Sequence, residues 1–252
     1  MLAACAAARR EAHSPGPARV TVLTYNVHRG VGLDGATDLE RIAGVVRASG
    51  ADLVALQEVD VGTRRSAGVD QASELGRLTG LHVAFGEAMA HDGGSYGEAV
   101  LSRWPVRRTR VHPLPHSGGR EPRCALEVVV ETPAGPLRFV GTHLDHTRDP
   151  VDRIAQVGAL DALFADEMPT VLAGDFNDQP GAESLSRLAD RWADVLGPID
   201  RATYPADAPE RAIDHVFVRP TARFTRVSAG VLDEPVASDH RPVRAVLEVR
   251  GE

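Results

Sequence analysis

The sequence predicts an α/β domain of two packed β-sheets with helices on both outer faces. Three observations lead there. Short β-branched and apolar runs recur from residues 20–25 to residues 243–249, as strands do. Only a few stretches carry a helical apolar stripe, and they fall among the strands without strict alternation, a pattern that suits stacked sheets with helices outside. At 252 residues and 43% hydrophobic, the chain can bury a substantial core and suits one large domain or two small ones. No repeat or linker divides it, so residues 19–252 read as one domain. Residues 1–18, with Pro15-Gly16-Pro17, read as a disordered lead-in.

The elements follow in order. Val20-Thr21-Val22-Leu23-Thr24-Tyr25 reads as a strand ending at Asn26, and Gly30, Gly32 and Gly35 mark a loop. Thr37-Asp38-Leu39-Glu40 fits a capping box, after which Leu39, Ile42, Val45 and Val46 form a helical stripe. Residues 52–56 are a buried strand ending in Gln57-Glu58. A helix is expected over 71–78, a strand over 81–85, a Gly-rich loop over 91–95 and a short strand over 99–101. Residues 103–123 mix Arg, Pro and His without a clear period. Residues 124–130 and 137–141 read as antiparallel strands around Thr132-Pro133-Ala134-Gly135, the second closed by Thr142-His143. Val151, Ile154, Val157, Leu160 and Phe164 stripe an amphipathic helix. A buried strand then runs into Gly174-Asp175-Phe176-Asn177, followed by a helix near 182–189, a loop over 199–211, and strands at 213–218, 227–232 and 243–249.

Polar groups collect at strand ends: Asn26, Glu58, His143, Asp175, Asn177, Asp214 and the pair Asp239-His240. Open sheets bind ligands at such ends. Strand alternation points Asp175 and Asn177 the same way and Phe176 back to the core. Each residue has a plain alternative: an Asx turn at Asp175, a solvated charge at Glu58, hydrogen-bonded core histidines at His143 and His240. Asp214, inside Ile-Asp-His-Val-Phe-Val, is harder to set aside, since a carboxylate in a strand is costly unless paired.

Composition narrows the classes. A formal charge of −7 argues against broad electrostatic binding of nucleic acid, although a metal site can supply positive charge to a nucleic-acid substrate. Cys5 and Cys124 give no disulfide framework and no zinc cluster. No apolar run is long enough for a transmembrane helix. Leu2-Ala3-Ala4-Cys5 matches a lipoprotein cleavage box, but no basic or apolar segment precedes it. Either the start lies upstream or the match is chance in an Ala-rich tail. The expected location is cytoplasmic or, if a truncated signal precedes Cys5, the cell envelope.

Taken together, these strand ends resemble the endonuclease/exonuclease/phosphatase superfamily, the metal-dependent phosphoesterases of the deoxyribonuclease fold. Thr24-Tyr25-Asn26-Val27, Leu56-Gln57-Glu58-Val59, Thr142-His143-Leu144, Gly174-Asp175-Phe176-Asn177, Ile213-Asp214-His215-Val216 and Ser238-Asp239-His240-Arg241-Pro242 match its motifs in order. The resemblance implies a four-layer αββα sandwich of two mixed sheets and a hydrolase of phosphate esters, most readily phosphodiesters. It implies that Glu58, with Asn26 and Asp239, holds Mg²⁺ or Mn²⁺. Asp175 would orient and deprotonate water, Asn177 would contact the phosphate and His143 the phosphate or leaving group, with His146 assisting; His240, held by Asp214, would stabilise charge on the phosphoryl oxygens or act as general acid. An all-oxygen ligand set suits these metals rather than Zn²⁺. A nuclease acting by the same mechanism, or a binding module without turnover, are the other readings. The substrate would be a small molecule, a lipid headgroup or a nucleic acid, and the chain is expected to be a monomer. Few aromatics speak against a base-stacking platform.

One position departs from the pattern. Many relatives carry Asn where Tyr96-Gly97-Glu98-Ala99 has Glu98. That carboxylate would add a metal ligand, repel an anion, or face solvent. Among the arginines of residues 103–123, Arg123 is the best candidate for a phosphate contact, since it opens a strand and arginine suits bidentate recognition. Arg64-Arg65 is a weaker candidate, and the remaining arginines read as a solvated face.

Overall fold

A strand covered on both faces carries apolar side chains at successive positions. Strands β1 (Ala18–Asn26) and β2 (Leu53–Val61) are of this kind. Val20, Val22, Leu53 and Ala55 face the core between the sheets, while Leu23, Tyr25, Val54 and Leu56 face a second core beneath helices. A computed structural model describes residues 16–199 and 201–251, so the lead-in expected over 1–18 lies almost wholly outside the described residues.

The first sheet has the order β11 (Phe224–Val231), β12 (Val243–Val249), β1, β2, β4 (Gly94–Ser102), β3 (His82–His91). The second runs β5 (Val106–Pro113), β6 (Cys124–Thr132), β7 (Gly135–His143), β8 (Thr170–Asp175), β10 (Asp214–Arg219), β9 (Ala193–Asp194). Helices α1 (Leu39–Ser49) and α2 (Gln71–Thr79) cover the first sheet through Ile42, Val46 and Leu75. Helices α3 (Val151–Leu163) and α4 (Glu183–Ser186) cover the second through Val157, Leu160 and Leu185. The result is the four-layer αββα sandwich. No helix among the described residues is long and apolar enough to cross a membrane.

Each sheet is mixed, with one parallel pair at its centre: β1 beside β2 and β7 beside β8. Register brings Asn26 opposite Gln57, and His143 opposite Asp175. Strand β10 runs antiparallel to β8 and starts with Asp214 opposite Asp175. The polar strand ends therefore meet at one end of the sandwich. Gly174 permits this approach, because a Cβ there would collide with the Thr142 carbonyl oxygen.

Local features differ from the sequence reading at several places: β2 runs on through Glu58 to Val61, α4 is a single turn rather than a helix over 182–189, and the short strand β9 was not expected. Strand β5 lies where no strand was expected. It is an edge strand whose Arg107, Arg108 and Arg110 face solvent, so it lacks an apolar signature. Strands β3 and β4 run longer than expected and join through Asp92-Gly93, both at positive φ (44° and 84°), a turn that Asp-Gly favours in hairpins. The cap of α1 is Asp38 rather than Thr37: its carboxylate accepts from the Arg41 amide at 2.9 Å.

Candidate active site

The converging strand ends line a cavity of about 420 Å³. Eight of the ten residues expected at the site line it: Glu58, Arg123, His143, His146, Asp175, Asn177, Asp239 and His240. Asn26 and Asp214 stand directly behind the lining. The Asn26 amide donates to Glu58 Oε1 and to Asp175 Oδ2, each at 3.1 Å. Asp214 Oδ2 lies 2.9 Å from His240 Nδ1 and accepts from Thr203 Oγ1 at 2.5 Å.

Asp175 ends β8 and is buried. It forms an Asx turn, accepting the Asn177 amide on Oδ1 at 2.9 Å, and its Oδ2 faces the cavity's histidines. Asn177 is beyond the strand, at φ 52°, with its side chain donating to the Leu144 carbonyl, while Phe176 packs into the core under α3. Burial pushes the Asp175 carboxyl up to about 7, with Asp214 adding to the rise and His240 opposing it. Burial works the other way on His240, but Asp214 and Asp175 outweigh it and raise the imidazole to about 10. His240 is thus a cation at neutral pH, with Nε2 3.6 Å from Asp175 Oδ2.

Arg123 is buried and holds two histidines. Its Nη1 donates to His143 Nδ1 and its Nη2 to His146 Nδ1, both at 3.1 Å. A guanidinium has no acceptor, so both Nδ1 atoms accept and the proton of each neutral ring sits on Nε2. His143 Nε2 lies 3.4 Å from Asp175 Oδ2. Burial, reinforced by Arg123, holds the His143 imidazole well below its ordinary range, so it stays neutral. Of the other arginines, Arg65 lines the cavity but grips Asp60 with Nε and Nη2 at 2.8 and 2.7 Å, and Arg64 pairs with Asp92. Arg103, Arg108 and Arg120 also pair with carboxylates, whereas Arg107 and Arg110 are exposed.

Glu58 sits at a break in register between β2 and β4 with φ 61°, a conformation that costs energy for a side chain with a Cβ. The profile of the endonuclease/exonuclease/phosphatase family matches residues 23–240. The chain belongs to that family. An uncharacterised Escherichia coli protein, YbhP, is 25% identical over 247 residues, covering 90% of this chain and 96% of its own length. The crystal structure of an endonuclease/exonuclease/phosphatase from Beutenbergia cavernae superposes with a TM-score of 0.76 at 30% identity, over 92% of this chain and 72% of that one. A mannosyl-6-phosphatase from Bacteroides thetaiotaomicron shares the fold, with a TM-score of 0.74 at 20% identity, over 90% and 99% of the two chains.

Members of the endonuclease/exonuclease/phosphatase family are phosphoester hydrolases and typically need a metal. In this member, one ligand atom each from Asp175, Asp214 and His240 lie within 4.8 Å of one another, close enough to hold an ion. This cluster is not the set expected from sequence. Its members are already engaged with one another: His240 Nδ1 faces Asp214 Oδ2 at 2.9 Å, and that oxygen also accepts from Thr203 Oγ1. Glu58 fits a cation better: among the described residues its carboxylate accepts only from Asn26, and it opens into the cavity beside Asp239. The Asn26 amide presents Nδ2 to Glu58 and turns Oδ1 to the His28 amide, so it would have to rotate to offer oxygen.

Glu98 does not face solvent. It lies fully buried in β4, with Oε2 unpartnered among the described residues. Burial raises its carboxyl well above the ordinary range; Glu58, Asp175 and Glu121 add to this, and Arg123 opposes it. In its neutral form Glu98 carries no charge to repel an anion and resembles the amide that relatives place there. The sequence reading missed Thr203, which holds Asp214, and Tyr204, whose ring packs 4.9 Å from that of His240. Both lie in an aperiodic loop, where no spacing announces them.

Proposed function

We propose that this chain is a metal-dependent phosphodiesterase. The observation that carries the reading is the facing pair on the cavity floor: a buried carboxyl raised to about 7, and an imidazole held as a cation 3.6 Å away. A base poised near neutrality beside a fixed cation is the pairing that hydrolysis of an anionic ester requires. Asp175 takes a proton from the attacking water as the water oxygen bonds to phosphorus. The bond to the leaving oxygen breaks with its electron pair staying on that oxygen. His240 Nε2 donates to the phosphoryl oxygens, where charge grows. Asp214 keeps His240 oriented through Nδ1. His143, its Nδ1 occupied by Arg123, turns its Nε2–H inward as a second donor. Asn177 offers the remaining proton of its amide to the phosphate.

Glu58, with Asp239 and Asn26, would hold Mg²⁺ or Mn²⁺, an assignment supported by the all-oxygen donors and by the absence of an ion-pair partner for Glu58 among the described residues. Bound there, the metal would neutralise charge on the phosphate. The test is a phosphoester panel with Mg²⁺, Mn²⁺ or EDTA: bis-p-nitrophenyl phosphate, a monoester, DNA, RNA and lipid-headgroup diesters. Metal-dependent turnover of the diester, abolished by EDTA, supports the reading. A protein inert towards every member would overturn it in favour of a binding module. Cleavage confined to DNA or RNA, with steep salt dependence, would make it a nuclease.

A further inference from the structure

Past Asn177 the cavity continues into a second hollow of about 540 Å³, and the two share His146, Asn177 and Arg211. We infer that this hollow is a subsite for a second phosphate group carried by the substrate. Three arginines line it, and two of them, the exposed Arg148 and Arg211, have no ion-pair or side-chain hydrogen-bond partner among the described residues. Other arginines near the site, Arg120, Arg123 and Arg153, are matched to carboxylates.

The one carboxylate lining the hollow, Asp178, is already neutralised. It accepts from Arg153 Nε at 3.0 Å and from Ser184 Oγ at 2.6 Å. Arg153 is itself consumed, since its Nη1 also donates to the carbonyls of Asp145 and Thr147. Arg148 and Arg211 thus remain available for a ligand. Arg211 is tied to the catalytic geometry: its guanidinium lies 5.7 Å above the Tyr204 ring, which packs against His240. Two forked donors beside a neutralised carboxylate suit a dianion, and phosphate matches the guanidinium fork. The inference rests on the phosphodiesterase reading and narrows it to esters with a second phosphate on the arm that runs past Asn177.

The test is binding rather than turnover, so it can fail independently of that reading. With Mg²⁺ present, titration calorimetry compares thymidine 5′-monophosphate with thymidine 3′,5′-bisphosphate, and inositol 1-phosphate with inositol 1,4-bisphosphate. At least one bisphosphate should bind about tenfold or more tightly than its monophosphate, roughly 1.4 kcal/mol. The series showing the gain names the carrier, nucleotide or inositol headgroup. The double variant Arg148→Gln with Arg211→Gln should lose most of the gain. Arg107→Gln with Arg110→Gln, which removes the same charge from β5, should keep it. Equal affinities in both series, no binding at all, or a gain that survives the first double variant would overturn the subsite. Absence of diester turnover would overturn the reading beneath it, whatever the titrations show.

Discussion

Two buried polar clusters, one on the second sheet and one where the two sheets meet at the cavity, make opposite uses of the same residue types. On the outer face of β5, β6 and β7, Glu127 accepts from Arg108 at 2.7 Å and Arg138 at 3.1 Å, and lies 2.8 Å from His112 Nε2. Arg138 also grips Asp166 with both Nη atoms at 2.7 Å. Burial would raise the Glu127 carboxyl, but His112 and the arginines hold it below the usual range. At the sheet's end, Asp175 is raised, and Glu98 Oε2, Arg123 Nε and Asp214 Oδ1 are buried without partners among the described residues. A satisfied network stabilises. Buried polar atoms left without partners mark a place where the fold holds groups ready for something else.

The contrast can be broken most directly at the site. His240→Ala should cut diester turnover of the folded fraction roughly a thousandfold, and should lower the denaturation midpoint as well, because Asp214 loses its buried cation. A variant that kept its activity would remove His240 from the chemistry. Glu127→Ala should differ in its chemistry, costing about 3–5 kcal/mol in urea unfolding because two arginines lose a buried partner, with turnover of the folded fraction retained. Arg123→Lys sits between the two. One ammonium cannot reproduce a fork across two rings, so turnover should fall roughly 10–100-fold, and ¹⁵N shifts should show His143 and His146 losing their single tautomer. Unchanged shifts would make Arg123 merely structural.

Acidity should separate the clusters at opposite ends of the scale. Glu127 is held below its unfolded value, so its stabilisation is present above the ordinary carboxylate range and is lost as the pH falls through the folded value. His240 is raised, so its contribution is full below the unfolded value of 6.5 and fades as pH climbs towards about 10. Glu127→Ala should flatten the acid limb of a stability profile and His240→Ala the alkaline limb. The smallest effect is expected from Glu98→Gln. An amide in place of a neutral acid should shift stability by no more than about 1 kcal/mol, and a large loss would mean that Glu98 is ionised.

Much of the site was legible because its residues close strands. A buried run that stops at Asn26, His143 or Asp175 states both the element and the end of the sheet it reaches, whereas Glu58 lies inside β2, where the register with β4 breaks. The two-core pattern of β1 and β2 was legible as well, in the unbroken apolar runs. Edge strand β5 was hidden, since a solvated strand buries too little to show a period. The hold of Arg123 on two histidines was not readable either, because it depends on a loop folding back between residues 20 and 23 positions away. Asp92-Gly93, by contrast, carried a hairpin signal that the loop reading passed over.

The Asn26 amide, described above as a link between Glu58 and Asp175, joins the two layers: β1 and β2 belong to one sheet, β8 to the other. Half the cavity's chemistry rides on each layer, with Glu58 on one and Asp175, His143 and Asp214 on the other. The cavity is therefore a gauge of how the slabs are aligned. Warming or mild denaturant that lets them slide should silence the enzyme while its helices still read as intact by circular dichroism.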